Sequence, residues 1–233
     1  FLTIKDGETP ADNLLQLTGT AEFAFVRRIV DVDVNRDNLF LLKGATLDTL
    51  AFTLDNAGVI VADVATLNVS GELALAQVTA KGESKARYMT FQMGSVTVDG
   101  TLDPALGVNL TGTLEITALD LNLVNNRPDG VTPWTHLNWN QAVDLDEDGT
   151  HDVLNPGADL PNPRDLTLNL EHTLRFRLSG SVTGDPTNND AFLTIEDGKD
   201  GTDLLQLTGI AEFALVRRIV DVDVNRDNLF LLK

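Results

Sequence analysis

Asp144, Asp146 and Asp148 stand two residues apart, and Gly149, Thr150 and Asp152 follow within the segment DLDEDGTHDVLN, Asp144 to Asn155. Carboxylates at positions 1, 3, 5 and 9 of a loop, a glycine at the sharp turn of position 6 and a backbone carbonyl at position 7 are the oxygens that wrap a calcium ion. The spacing therefore predicts calcium as a cofactor held by Asp144, Asp146, Asp148, Thr150 and Asp152. Position 12, where a bidentate glutamate ordinarily completes the shell, is Asn155. The competing account is an acidic, solvated turn that needs no metal.

A second acidic run, DVDVNRDN, occurs twice. Asp31, Asp33, Asn35 and Asp37, and again Asp221, Asp223, Asn225 and Asp227, repeat the odd spacing of the ligands. Arg36 holds the glycine position, and valines alternate with the carboxylates. A strand with a wet face, followed by a hairpin turn at Asn35 to Asn38, accounts for the run as well as a second metal site does. Arg27, Arg28, Arg217 and Arg218 stand close enough in sequence to neutralise such aspartates across strands.

Trp134, His136 and Trp139 lie upstream of the calcium loop and offer a stacking surface for glycan beside a metal. The simpler account is that the tryptophans pin an irregular segment to its own sheet. His172 falls in the apolar register of a strand and reads as a core histidine. No GxSxG, HExxH or phosphate loop is present, so the chain is not expected to be an enzyme.

The elements that must position these residues are β-strands. Apolar and polar residues alternate with period two at Leu15 to Phe25, Leu67 to Leu75, Leu106 to Ile116 and Leu166 to Val182, which predicts half-buried antiparallel strands with one apolar face. A recurring Leu/Val–Thr/Ser–Gly triplet places Gly19, Gly71, Gly112, Gly180 and Gly209 in the apolar register, with Gly100 a looser member. Glycine inside a strand marks a bulge, a bend or close approach of another backbone, so these residues are expected to line a crease. The apolar register slips near Gly94 and Ala118. Turns are expected at Lys43 to Ala45, Asp55 to Gly58, Lys81 to Ser84 and Asp103 to Gly107. The stretch 125–165 holds five of the eight prolines and both tryptophans and reads as an irregular insertion.

Repetition organises the whole. Residues Leu14 to Lys43 return as Leu204 to Lys233, an offset of 190 residues, with Thr20 replaced by Ile210 and Phe25 by Leu215 as the only differences. The chain divides into a first copy (1–43), the remainder of one repeat (44–191) and a second copy (192–233). Such a pattern reads as a window on a tandem array, whose natural partners are neighbouring identical repeats.

Composition narrows the partners. A formal charge of −18 disfavours nucleic acid and anionic membranes, and the absence of cysteine removes disulfides and thiolate metal sites. No apolar run is long enough to insert in a membrane.

With LTGTAEF, NVSGELAL and DLDEDGTHD in hand, the chain resembles the tandem-repeat region of giant bacterial surface adhesins of the type-I-secreted, RTX kind. The loop is similar to those of dockerin-like and thrombospondin-type-3-like segments. The resemblance implies an extracellular or cell-surface location and calcium-stabilised β modules strung into a stalk. The expected fold is all-β, with long antiparallel strands bent at glycines into an elongated sandwich, roll or solenoid-like unit. The expected role is structural; a glycan-binding module using 125–165 and a lipid-carrying β groove are the alternatives.

Overall fold

Strict alternation over long stretches gives long strands. The computed structural model describes residues 2–5, 13–37, 39–61, 65–82, 86–102, 108–109, 111–125, 135–184, 191, 193–197 and 202–221. Its strands are β1 (Leu2–Lys5), β2 (Asn13–Leu17), β3 (Thr20–Val32), β4 (Leu42–Val61), β5 (Ala65–Thr79), β6 (Arg87–Leu102), β7 (Val108–Asn109), β8 (Thr111–Val124), β9 (Val143–Asp144), β10 (Leu174–Thr183), β11 (Leu193–Asp197), β12 (Thr202–Leu207) and β13 (Ile210–Arg218). The fold is all-β, and its main sheet curls into a half-barrel. That sheet runs β1-β2-β4-β5-β6-β8-β10-β13, with β3 also on β4 and β9 on β3; β12-β11-β7 form a second, small sheet.

At 20 residues β4 is several times the usual strand length, and it is long because one partner after another lies along it. Its first part pairs with β3 and its last residues with β2. The long strands are bent rather than straight. The β4·β5 register shifts by one residue between Leu54 and Ala57, the β5·β6 register between Ser70 and Glu72, and the β8·β10 register between Ser179 and Gly180. These bulges run across the sheet as one crease, with Asn56 and Ser95 at positive φ of 46° and 53°. Gly180 lies on it because any side chain there would strike the Glu115 carbonyl and the ring of Phe213. Gly19, at φ 103°, faces the carbonyl of Asn56 just as closely. Gly71 also sits on the crease, opposite Val96. Gly112 departs from the expectation: it pairs directly with Gly100, away from the bulges.

Other expectations need correction. Asp55 to Gly58 and Lys43 to Ala45 are bulges inside β4, not turns, because neighbouring strands continue past them. Asp103 to Gly107 lies outside the described residues. Leu166 to Val182 is not one strand: β10 begins only at Leu174, after a turn at His172 and Thr173. The upstream half is an extended segment tied to the insertion that precedes it, with Leu168 N–H donating to the Leu154 carbonyl at 2.9 Å and Trp139 N–H to that of Leu170 at 2.9 Å.

The core lies on the opposite face of the sheet from the one the alternation suggests. Phe23, Phe25 and Ile29, in the apolar register of β3, are 68%, 61% and 57% exposed. The buried face carries small and polar residues, among them Ala51, Ala74, Ala76, Val78, Thr49 and Thr90. The reason is the insertion. Its Leu137, Trp139 and Leu154, with Leu166, Leu168 and Leu170 of the extended segment that follows it, fill the concavity, and large side chains on one partner need small ones on the other. The insertion is fastened at its rim by Arg28 to Asp159 at 3.0 Å and Arg164 to Asp55 at 3.2 Å.

Candidate metal centre

Alternation in DVDV makes β3 run on to Val32, and the short strand β9 at the head of the acidic loop adds to its edge, with Asp31 opposite Asp144 and Val32 opposite Val143. Asp33 N–H donates to the Ala142 carbonyl at 2.8 Å, which extends the pairing. The loop leaves β9 at Asp144 and closes on itself: Asp152 N–H bonds the Val143 carbonyl at 2.8 Å, and Leu145 N–H bonds Asp152 Oδ2 at 2.6 Å. Glu147 and Gly149 take positive φ (63° and 84°), the sharp turn expected of position 6 being made there.

Asp144, Asp146 and Asp152 bring one carboxylate oxygen each within 4.8 Å of one another. Asp144 is 1% exposed. Gly149 N–H satisfies its Oδ2 at 2.9 Å, while its buried Oδ1 has no hydrogen-bond partner among the described residues. A buried carboxylate oxygen without a partner is costly unless a cation meets it. Three clustered carboxylates, one carrying that orphan oxygen, fit a hard divalent cation by donor chemistry.

Not all predicted ligands join them. Asp148 is exposed and turned to Thr150, whose hydroxyl (2.6 Å) and N–H (2.7 Å) hold its carboxyl below the usual range. Asn155, at position 12, is used otherwise: its Oδ1 accepts from Gly157 N–H at 3.1 Å and Leu166 N–H at 2.9 Å, capping the 3-10 turn Pro156–Asp159.

The second acidic run does not form a site of its own among the described residues. Asp31 binds Lys43 Nζ at 2.6 Å and Gly44 N–H at 2.9 Å, which together hold its carboxyl below the ordinary value. Asp33 points inward and receives Asn35 N–H and Arg36 N–H at 3.2 and 2.7 Å. Asp37 caps the next bend through Asn35 and Leu39. The wet strand followed by a turn is therefore the observed arrangement, and the arginines seek other acids: Arg27 chelates Asp48, and Arg218 reaches Glu171 at 3.5 Å. Asp221 is exposed; Asp223, Asn225 and Asp227 lie outside the described residues.

Trp139 is not a stacking platform. It is 1% exposed, and its Nε1–H donates to Asn122 Oδ1 at 3.2 Å. Asn122, fully buried on β8, returns bonds to the Leu137 and Glu171 carbonyls at 3.0 and 3.2 Å. Trp134 lies outside the described residues. Burial, then the charge of Arg175, pushes His136 down to about 4. His172 sits on the turn before β10 beside the Arg36 guanidinium rather than in the core. The anchoring role of Asn122 had no signal in the sequence beyond a polar residue in a leucine-rich strand. Equally unannounced is His151, which joins the loop to the first copy through Asp33 Oδ2 at 3.4 Å and the Phe40 ring at 4.9 Å.

The chain matches no protein-family model, no curated protein and no solved structure. None of the described helices is long and apolar enough to cross a membrane.

Proposed function

We propose that the chain is a structural repeat unit of an extracellular fibre, stalk or surface adhesin, stabilised by calcium at Asp144, Asp146 and Asp152. One observation carries this reading. In the half of the main sheet that holds the long strands, the order is β3-β4-β5-β6-β8-β10-β13, so the two near-identical copies of one sequence form its two outermost strands. A repeat whose first and last strands are the same strand is suited to linear continuation and gives an enzyme nothing. The orphan oxygen of Asp144 supports the metal, and the resemblance to secreted adhesin repeats supports the location. Glycan binding by Trp134, His136 and Trp139 loses its main support with Trp139 in the core. A lipid-carrying groove fares no better, since the insertion leucines fill the concavity.

The test is the coding sequence on either side of this segment. Further copies in the same 190-residue register support the array. Unrelated flanking sequence, with a chain that stays monomeric at high concentration, refutes it.

A further inference from the structure

Which edge of the duplicated strand is used differs between the two copies. Along an antiparallel strand, successive residues direct their N–H and C=O groups to alternate sides. In the first copy Thr18 exchanges bonds with Gly58 at 2.9 and 3.1 Å, and the Val26 carbonyl accepts from Thr49 Oγ1 at 3.4 Å. Even-numbered residues thus face β4. Asp33, odd-numbered, bonds Ala142 on the other side. The odd residues from Ala21 to Ile29 form an open edge: among the described residues its backbone partners begin only at Asp31, on β9.

In the second copy that edge is the occupied one. The Gly209 carbonyl accepts from Gly184 N–H at 2.9 Å, and Ile219 N–H donates to the Thr173 carbonyl at 2.9 Å. Both are odd, and they bracket the β10·β13 ladder, in which Phe213 pairs with Gly180 and Leu215 with Leu178. Gly209 and Ile219 are the counterparts of Gly19 and Ile29. The hairpin before the strand behaves the same way. In the first copy Leu2 pairs with Leu17, and β2 takes β4. In the second copy Leu193 pairs with Leu207 in the matching register, but it is β11, the counterpart of β1, that takes a neighbour, β7.

We propose that the open edge of the first copy is the docking site for the β7 and β10 edge of another copy of this repeat, so that one duplicated segment is a strand shared by two successive sheets. This rests on the fibre reading above and adds its joint. The two neighbours divide the shared edge without collision: β10 would cover it up to Ile29, and β9 of the repeat's own insertion takes it from Asp31. Side chains agree. Phe213, seated over Gly180 beside β10, is 38% exposed, against 68% for its counterpart Phe23. The joint also fixes a shear. Following paired residues from Phe23 through Phe52, Leu73, Met93, Leu119 and Leu178 leads to Leu215, the counterpart of Phe25, two residues farther along the shared strand.

In solution the joint is formed by exchange: β3 of one chain displaces β13 from β10 of a second. Phe213→Pro removes an N–H that faces β10 and frees that edge, whereas Phe23→Pro removes one that no strand among the described residues of its own chain uses. Sedimentation velocity on the full chain is expected to show Phe213→Pro in dimers and longer species, and the double variant Phe23→Pro/Phe213→Pro monomeric, with the associated fraction down at least about tenfold. Cysteine trapping reads the register independently in this cysteine-free chain. Ala214 faces Ser179, so chains carrying Ala24→Cys and chains carrying Ser179→Cys should cross-link when mixed, while Ser179→Cys/Ala214→Cys within one chain confirms the β10·β13 register. Association that survives Phe23→Pro, with no 24–179 cross-link, overturns the shared strand and leaves the fibre reading standing. If the intrachain pair closes and no association occurs in any variant, the joint fails; further copies in the flanking sequence would then be the sole support for the fibre.

Discussion

Asp31 of the first copy stands opposite Asp144, the first residue of the acidic loop, in the β3·β9 ladder. Their carboxylates part company there. Asp31 is neutralised by Lys43, while Asp144 turns into the protein with an oxygen that no group among the described residues satisfies. His151 ties the far side of the same loop to Asp33. A cation held by the loop would therefore stiffen the end of the strand through which we propose that repeats join.

Calcium should raise the melting temperature of the full chain, and chelation should reverse the rise. With Asn155 diverted and Asp148 turned away, a dissociation constant of about 10⁻⁴ to 10⁻³ M is expected, in the range of extracellular modules. Saturation at a hundred times that constant would add about 2.7 kcal/mol. Asp144→Asn should abolish the calcium-dependent shift while leaving the metal-free protein as stable as before or more so, because it removes a desolvated charge. Differential scanning calorimetry with and without calcium checks both halves. A calcium shift that persists in Asp144→Asn would place the metal elsewhere.

Asn122 fastens the insertion to the sheet. Asn122→Ala should cost about 3 kcal/mol, since it strands the Trp139 Nε1–H and two carbonyls in the core. Trp139→Ala should cost about 3–5 kcal/mol by cavity formation. Urea unfolding of the two single variants and the double variant measures the coupling. Additive losses would show that the hydrogen bond contributes little.

The all-β class, the long strands and the bends were legible because period-two alternation and strand glycines are local signals. The bend at Asn35 to Asp37, whose expected last residue Asn38 lies outside the described residues, and the slips near Gly94 and Ala118 were legible for the same reason. Which face is buried was not. Alternation says that two faces differ, and the large apolar residues Phe23 and Phe25 pointed to the wrong one, because the concavity is filled by leucines from a segment more than 100 residues away. Asp146 and Asp152 were found by spacing, but the diversion of Asn155 to a helix cap depends on where Leu166 returns, and no spacing rule contains that.

Acid should destabilise the protein in a window set by His136. Its pKa falls from 6.5 to about 4 in the fold, so the unfolded chain binds the extra proton between those values. The contribution is complete above pH 6.5 and is lost as the pH falls toward about 4. Asp120 shifts the other way, raised by burial against the pull of Arg177, and its contribution fades as the pH rises above the ordinary carboxylate range. Comparison of the wild type with His136→Gln separates the two: the variant should lose the slope between pH 6.5 and 4 and keep the rest. Equal slopes in urea midpoints across that window would show that His136 does not carry it.

Equivalent glycines in the two copies should respond unequally to the same substitution. Gly19 and Gly209 share a left-handed backbone, at φ 103° and 99°, so alanine is strained at both by about 1–2 kcal/mol. Among the described residues only Gly19 also faces a neighbour, since a methyl group there would meet the Asn56 carbonyl on β4, whereas none of them lies within 4 Å of the same point at Gly209. Gly19→Ala should therefore cost at least about 3 kcal/mol, by adding a backbone collision to the strain. Gly209→Ala should stay near the strain alone. If Gly209 takes up a following repeat's β4 in the assembled fibre, its tolerance should vanish there: the isolated chain would accept Gly209→Ala, and a protein carrying two successive repeats would lose as much stability as Gly19→Ala does. Thermal unfolding of the single-repeat and two-repeat proteins with each substitution measures the difference, and equal tolerance in both lengths would mean that the second copy never meets a β4.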